Sequence, residues 1–160
     1  MKSHREKHGE DMDKDGRAVC IRPMRSEDSE EISNIYSEIT KTPVEADFAT
    51  LIQAHAQGKD SACFVAELDD RVVGFMISYI LTLGFGIEKS AWIATMGVHP
   101  RHMGQGIGAR LATEIFKTYE SQGITRVYTS VRWDSTDLLS FFRTLDFERS
   151  DFINLTKKLG

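Results

Sequence analysis

Long apolar runs are missing from this chain. The most hydrophobic stretch, residues 74–87, is interrupted by Ser78, Tyr79, Thr82 and three glycines, and it falls short of the roughly 20 consecutive apolar residues that a spanning helix needs. A buried strand is expected there, and no membrane association. Cysteine is scarce too: Cys20 and Cys63 are the whole complement. They share no metal-ligand spacing and each sits among apolar neighbours, which reads as two small buried hydrophobes and no metal site. An excess of positive charge is also lacking. The net charge is -4 and no basic cluster stands out, which argues against a nucleic-acid surface, because neutralising phosphates takes concentrated Lys and Arg. The overall field mildly favours a cationic partner. The N-terminal charges have no apolar segment behind them, so no secretory leader is read there and a cytoplasmic location is expected.

What is present describes one ordinary globular domain. The chain has 160 residues, 41% of them hydrophobic and 28% charged, enough to bury a core of its own. Residues 1–17 carry almost no large apolar side chain, so burial cannot offset the entropy of ordering them. They read as a flexible charged tail, with His4 and His8 solvated, and 18–160 as a single domain. A strand over 18–24 is followed by a helix bearing Ile32, Ile35, Tyr36 and Ile39 on one face, which Ser26 or Asp28 would cap. A second helix carries Phe48, Leu51, Ile52 and His55 and ends near Gly58. Residues 62–68 and 71–81 are β-prone segments joined by Asp69 and Asp70, which predicts an antiparallel hairpin. Another strand is expected over 91–98. A glycine-rich loop then leads into a helix from about Gly104 to Gln122 that stops at Gly123, its buried face being Ile107, Leu111, Ile115 and Tyr119. Strands over 124–131 and 147–157 flank a last helix with Leu138, Phe141, Phe142 and Leu145 on one face. The sum is an α/β chain, its mixed sheet covered by helices.

The chemistry is most legible in the strand-to-helix segment 98–109, which reads Val-His-Pro-Arg-His-Met-Gly-Gln-Gly-Ile-Gly-Ala. Glycines at alternate positions let backbone amides converge where side chains would block access, and a helix start adds unpaired N–H groups and a positive dipole end. A pyrophosphate fits such a loop; a tight turn that merely packs the helix is the plainer alternative. A P-loop is excluded because GxxxxGK[ST] does not occur. Gly104, Gly106 and Ala109 match G-x-G-x-x-A, but Pro100 to Met103 separate the strand from the first glycine. The next strand, moreover, ends in Val131, Arg132 and Trp133 instead of an acid, against a dinucleotide fold.

Residues 96–111, with V-x-P followed by x-x-x-G-x-G-I-G-x-x-L, resemble the coenzyme A loop of the GNAT N-acetyltransferases. Residues 142–147, Phe-Arg-Thr-Leu-Asp-Phe, are similar to that family's second signature, which normally ends in Gly-Phe. The resemblance covers about residues 19–159. It implies a mixed, mostly antiparallel central sheet flanked by helices and splayed open between strands 91–98 and 124–131, with acetyl-coenzyme A in the gap. It further implies that backbone groups at Met96, Gly97 and Val98 hold the pantetheine arm. The amides of Met103, Gly104, Gln105, Gly106, Ile107 and Gly108 would grip the pyrophosphate, and Ser135 and Phe142 would stand near the thioester. The implied activity is transfer of acetyl to a primary amine of a small molecule or a peptide; the alternative is a degenerate domain that binds coenzyme A as a sensor or interaction module.

Three departures from the family pattern matter. Met103 replaces the usual Arg or Gln, leaving Arg101 or His102 as substitutes. Ala94 and Thr95 stand where many members carry Glu or Asp, and Phe142 where many carry Tyr, so neither usual acid/base group is present. The catalytic residues are therefore unassigned, with Glu88, Tyr79, Tyr128 and Asp134 as those to test. Deprotonating a lysine-like amine of pKa about 10.4 at pH 7 costs roughly 4 to 5 kcal/mol, against about 1 kcal/mol for an α-amine of pKa near 8, so a site without a base favours the latter. His99 reads as a turn residue before Pro100, Trp92 and Trp133 as flanks of the cleft with core packing the plainer reading, and Asp146 as a left-handed turn position. A homodimer is compatible with these residues.

Overall fold

The computed structural model describes residues 12–44, 46–56, 58–82 and 88–160. They form two compact units, the first reaching Thr129 and the second spanning Ser130–Gly160. In the first, a five-stranded sheet has the order β1-β2-β3-β4-β5, with β1 Cys20–Pro23, β2 Ser61–Leu68, β3 Arg71–Leu81, β4 Ser90–Val98 and β5 Val127–Thr129. Neighbours from β1 to β4 pair antiparallel, and β5 runs parallel to β4. The expected hairpin forms around Asp69 and Asp70, whose φ values of 51° and 60° are the two positive angles that a two-residue connection needs to follow the twist of its strands.

Each sheet face is covered by the helices whose periodicity predicts it. Helix α1, Ser29–Thr40, and α2, Ala46–Ala56, place Ile32, Ile35 and Ile52 in a cluster with Cys63, Val65, Phe75 and Ile77. On the other face α3, Ile107–Ser121, buries Ile107, Leu111, Ile115 and Tyr119 to 2% exposure or less; at about 2 kcal/mol per buried side chain, this stripe holds the helix down. The Tyr119 hydroxyl reaches Ser78 Oγ at 2.8 Å, and Ser78 in turn donates to the Ala62 carbonyl, so the buried polar groups are paired.

Several expectations are corrected. The strand over 124–131 is only Val127–Thr129, because Ile124 belongs to the end of α3: with Gly123 at φ +74°, the Ile124 and Gly123 amides donate to the carbonyls of Tyr119 and Glu120 at 3.0 Å each, a Schellman cap that withholds these residues from the sheet. Helix α3 starts at Ile107, not near Gly104, since Gly104 and Gly106 hold φ of 74° and 76°, which no helix turn accommodates. Cys20 is exposed and only Cys63 is buried. Residues 12–17, read as tail, form a turn closed by a Met12–Ala18 bridge; residues 1–11, with His4 and His8, lie outside the described residues.

In the second unit, helix α4 covers Thr136–Thr144. Asp146 takes the expected left-handed φ of 62°, and the amides of Asp146 and Phe147 donate to the carbonyls of Arg143 and Phe142 at 3.1 Å, another Schellman cap. The Phe142 ring is buried against Phe141 and Phe147, with centroids 5.1 and 5.0 Å away. The strand expected over 147–157 does not form. Its alternating pattern has no ladder in this unit, and Ile153 and Leu155 are 73% and 87% exposed; pattern makes a strand only where a partner supplies hydrogen bonds.

Candidate functional site

The parallel pairing of β4 with β5 covers Ala91, Trp92 and Ile93 and then stops. Thr129, the last residue of β5, donates its hydroxyl to the Ile93 carbonyl at 3.1 Å, taking the acceptor at which the ladder ends. Beyond that point β4 continues to Val98 with no strand on this side among the described residues. Register identifies the groups left open. The Ala91 amide and the Ile93 carbonyl face β5, but between Ile77 and Ser78 the β3–β4 register skips Ala94, a bulge that reverses the alternation. The His99 amide donates to the Val73 carbonyl at 2.8 Å, so the backbone of Gly97 faces β3 and that of Met96 and Val98 faces the open edge. The splayed edge expected between these strands is therefore present, with Met96 and Val98 displayed along it.

Gly97 serves this edge differently. A Cβ there would lie 2.8 Å from Ile39 Cδ1 and 2.8 Å from Phe75 Cε1. Ile39 is partly exposed and can move, but Phe75 is fully buried. Gly97→Ala is expected to cost about 2 kcal/mol through overpacking, read as a lower midpoint of urea unfolding.

The loop follows directly. His99 accepts the Arg101 amide on Nδ1 at 3.2 Å, its carbonyl accepts the His102 amide at 2.8 Å, and Pro100–His102 make one 3-10 turn, the turn role expected of His99. Among the described residues, no amide from Met103 to Gly108 donates to a backbone carbonyl. The first of these belong to a loop and the last two to the first turn of α3, where N–H groups have no intrahelical partner. A Cβ at Gly104 or Gly106 would meet nothing within 4 Å. Unpaired amides beside open space, at a helix N-terminus, form a cradle for an anion, and this donor set fits a diphosphate. His102 lies beside it, 5.9 Å from His99 between ring centroids. Burial holds the His102 imidazole below its usual range, with the cations of Arg17 and Lys14 acting in the same sense and Asp13 against them.

The candidate acid/base residues divide. The register places Tyr79 opposite Trp92 and Trp92 opposite Tyr128, so the three share one sheet face. His55 stacks on Tyr79 at 5.3 Å and Trp92 on Tyr128 at 6.3 Å. Ala94, the surplus residue of the bulge, is exposed, and Glu88 is exposed at the foot of β4. Asp134 is a poor base: its hydrogen bonds from Arg132, at 2.9 and 2.6 Å, hold its carboxyl below the usual range. Arg132, Asp134, Ser135 and Phe142 all belong to the second unit. There Ser135 is the N-cap residue of α4 without a side-chain cap bond, and Trp133 is 82% exposed. Among the described residues no cluster of three His, Cys, Asp or Glu is placed to hold a metal ion.

Sequence reading missed two features of the site. The bulge at Ala94 depends on the register of β3 against β4, which no single segment states. The other is that the turn at residues 12–18 touches the loop, the Lys14 amide donating to Gln105 Oε1 at 3.3 Å.

Comparison with known proteins places these observations. A family model described as the acetyltransferase (GNAT) family matches residues 29–147. Among solved structures, the fold is similar to an aminoglycoside N-acetyltransferase, AAC(6')-Iy, in complex with CoA, at TM-score 0.77 and 16% identity, covering 89% of this chain and 96% of that one. It is similar to the aminoglycoside acetyltransferase meta-AAC0020 from an uncultured soil metagenomic sample, at TM-score 0.73 and 19% identity over 89% and 97%. A ribosomal-protein-alanine N-acetyltransferase from Brucella melitensis biovar Abortus 2308 aligns at TM-score 0.71 and 17% identity over 89% and 100%.

Proposed function

The chain belongs to the acetyltransferase (GNAT) family, and on that premise we propose that it moves the acetyl group of acetyl-coenzyme A directly to a primary amine in the cytoplasm. The observation that carries this reading is the row of unpaired amides at Met103, Gly104, Gln105, Gly106, Ile107 and Gly108, next to a strand edge whose ladder has ended. The amides would hold the diphosphate, and the backbone of Met96 and Val98 the pantetheine arm. Gly97 contributes by letting α1 pack behind them, and by the family resemblance alone Ser135 and Phe142 would serve the thioester end. When bound, the cosubstrate supplies an activated acyl carbon; the neutral amine nitrogen bonds to it, the C–S bond breaks, and the amine proton leaves as the thiol forms.

This chain does not present a carboxylate where a base would stand on β4, since residues 94 and 95 are Ala and Thr. Tyr79 and Tyr128, which share a sheet face with Trp92, remain the candidates for handling the proton. The acceptor's own pKa then governs the rate: at pH 7, an α-amine is expected to react about two orders of magnitude faster than a lysine-like amine of equal affinity, from the neutral fractions alone. Free thiol release from acetyl-coenzyme A, with amino acids, peptides, polyamines and aminoglycosides as acceptors, measures this. Ala94 and Phe142, in place of acid/base groups, favour a second reading, a coenzyme A-binding module without turnover. Measurable binding with no thiol release from any acceptor would establish that one instead.

A further inference from the structure

Residues 12–18 lie outside the stretch that matches the family, 29–147, and they form a hairpin in miniature. Met12 bridges Ala18, the Gly16 amide donates to the Asp13 carbonyl at 2.9 Å, and Gly16 takes φ of 76°, the pattern of a type I turn followed by a left-handed glycine. Asp13 is its centre. Its side chain, 1% exposed, accepts the amides of Asp15 and Arg17 at 3.0 and 2.7 Å and the Arg17 guanidinium at 3.0 and 2.8 Å. Burial opposes the charge on Asp13, but these donors outweigh it and hold its carboxyl below the usual range.

This hairpin is anchored from several sides. Arg17 also binds Asp69 in the β2–β3 turn at 3.1 Å, and Arg110, in the first turns of α3, donates to the Val19 carbonyl at 2.8 Å. Between these anchors the Lys14 amide meets Gln105 Oε1. Gln105 lies between Gly104 and Gly106, both left-handed, and neither has a side chain with which to hold its own conformation. The amide nitrogen of Gln105 is buried with no acceptor among the described residues, so among them the bond from Lys14 is the one hydrogen bond that this side chain makes.

We propose that the hairpin at residues 12–18 is a brace for the diphosphate loop: by holding Gln105 it keeps the amides of Gly104 to Gly106 in the conformation that grips the anion. Gln105 and Lys14 are thus positioning residues. This rests on the cofactor assignment of the preceding section. Preorganised donors bind better than donors that must be ordered on binding, and a flexible pair of glycines has the most freedom to lose.

Position 14 allows a clean test, because it is the second residue of the type I turn, where proline is favoured. Lys14→Pro removes the amide donor and keeps the turn; Lys14→Ala removes the ammonium and keeps the donor. With coenzyme A titrated by calorimetry, Lys14→Pro should bind about five- to tenfold more weakly, with the loss carried by a less favourable binding entropy because the loop must then be ordered on binding. Lys14→Ala should stay within twofold of the parent, and both should unfold within a few degrees of it. Gln105→Ala should reproduce the loss, and adding Lys14→Pro to it should weaken binding no further, since coupled residues are non-additive. Equal affinities for Lys14→Pro and the parent, or equal losses in the proline and alanine variants, would overturn the brace. Parent protein that ignores coenzyme A would overturn the cofactor assignment, and this inference with it.

Discussion

Gly106→Glu is expected to weaken coenzyme A binding at least a hundredfold while leaving the chain folded. A side chain at this position is strained, since φ is 76°, but the cost is about 1 to 2 kcal/mol. A Cβ there would touch nothing within 4 Å, so no packing is lost. What the substitution does is fill the space before the unpaired amides with a carboxylate that competes for them and repels the diphosphate. Gly123 provides the control. It has nearly the same backbone angle, 74°, and the same empty surroundings, at the opposite end of α3. Gly123→Glu should therefore lower the melting midpoint at least as much as Gly106→Glu does, since an acid at a helix C-terminus also opposes the dipole, yet leave affinity intact. Equal binding by the parent and Gly106→Glu would remove the diphosphate from this loop.

The largest effect on stability is expected at Asp28. Its carboxylate accepts two hydrogen bonds from the Arg22 guanidinium, at 2.8 Å each, and one from the Arg25 amide at 2.7 Å, while Arg22 also binds Glu67 at 2.7 Å. Asp28 is 6% exposed, and the cluster joins β1, β2 and the start of α1. Asp28→Ala would leave a largely buried guanidinium short of its partner, at a cost of about 3 kcal/mol, or roughly 6 to 12 °C in midpoint for a chain of this size. Burial pushes the Asp28 carboxyl up, but the hydrogen bonds from Arg22 and Arg25 outweigh it, and the net pKa lies below the ordinary 3.8. A carboxyl depressed in the folded state stabilises above its unfolded pKa, and that contribution is lost as pH falls through the folded value. The gap between parent and Asp28→Asn should thus be full at pH 6 and shrink below about pH 4. A gap that persists unchanged at pH 2 would refute the ionic account.

The sequence made some of this legible and concealed the rest for identifiable reasons. The stripe Ile107, Leu111, Ile115 and Tyr119 announces α3 because helical spacing is a local property, and Asp69-Asp70 announces a hairpin because few residue pairs tolerate two left-handed angles. The glycine loop was legible as a possible anion site through spacing alone. The bulge at Ala94 was not, because it exists only in the register between two strands. The three-residue length of β5 was hidden because Gly123 and Ile124 serve two masters, a helix end and a β-prone pattern, and the helix end prevails. Residues 12–17 were read as tail because hydrophobicity is a poor guide to a turn held by one buried carboxylate, although Asp-Lys-Asp-Gly is itself a turn composition. Cys20 misled in the opposite sense: apolar neighbours in sequence do not bury a residue that points outward from an edge strand.

Ala94 is a passenger of the sheet. Its neighbours Ile93 and Thr95 are each matched to a residue of β3, whereas it is matched to none, and its side chain is exposed. This one position can therefore be exchanged without renegotiating the strand pairing on either side. A residue that no partner strand registers is one whose side chain can change by a single codon while the architecture stays as it is.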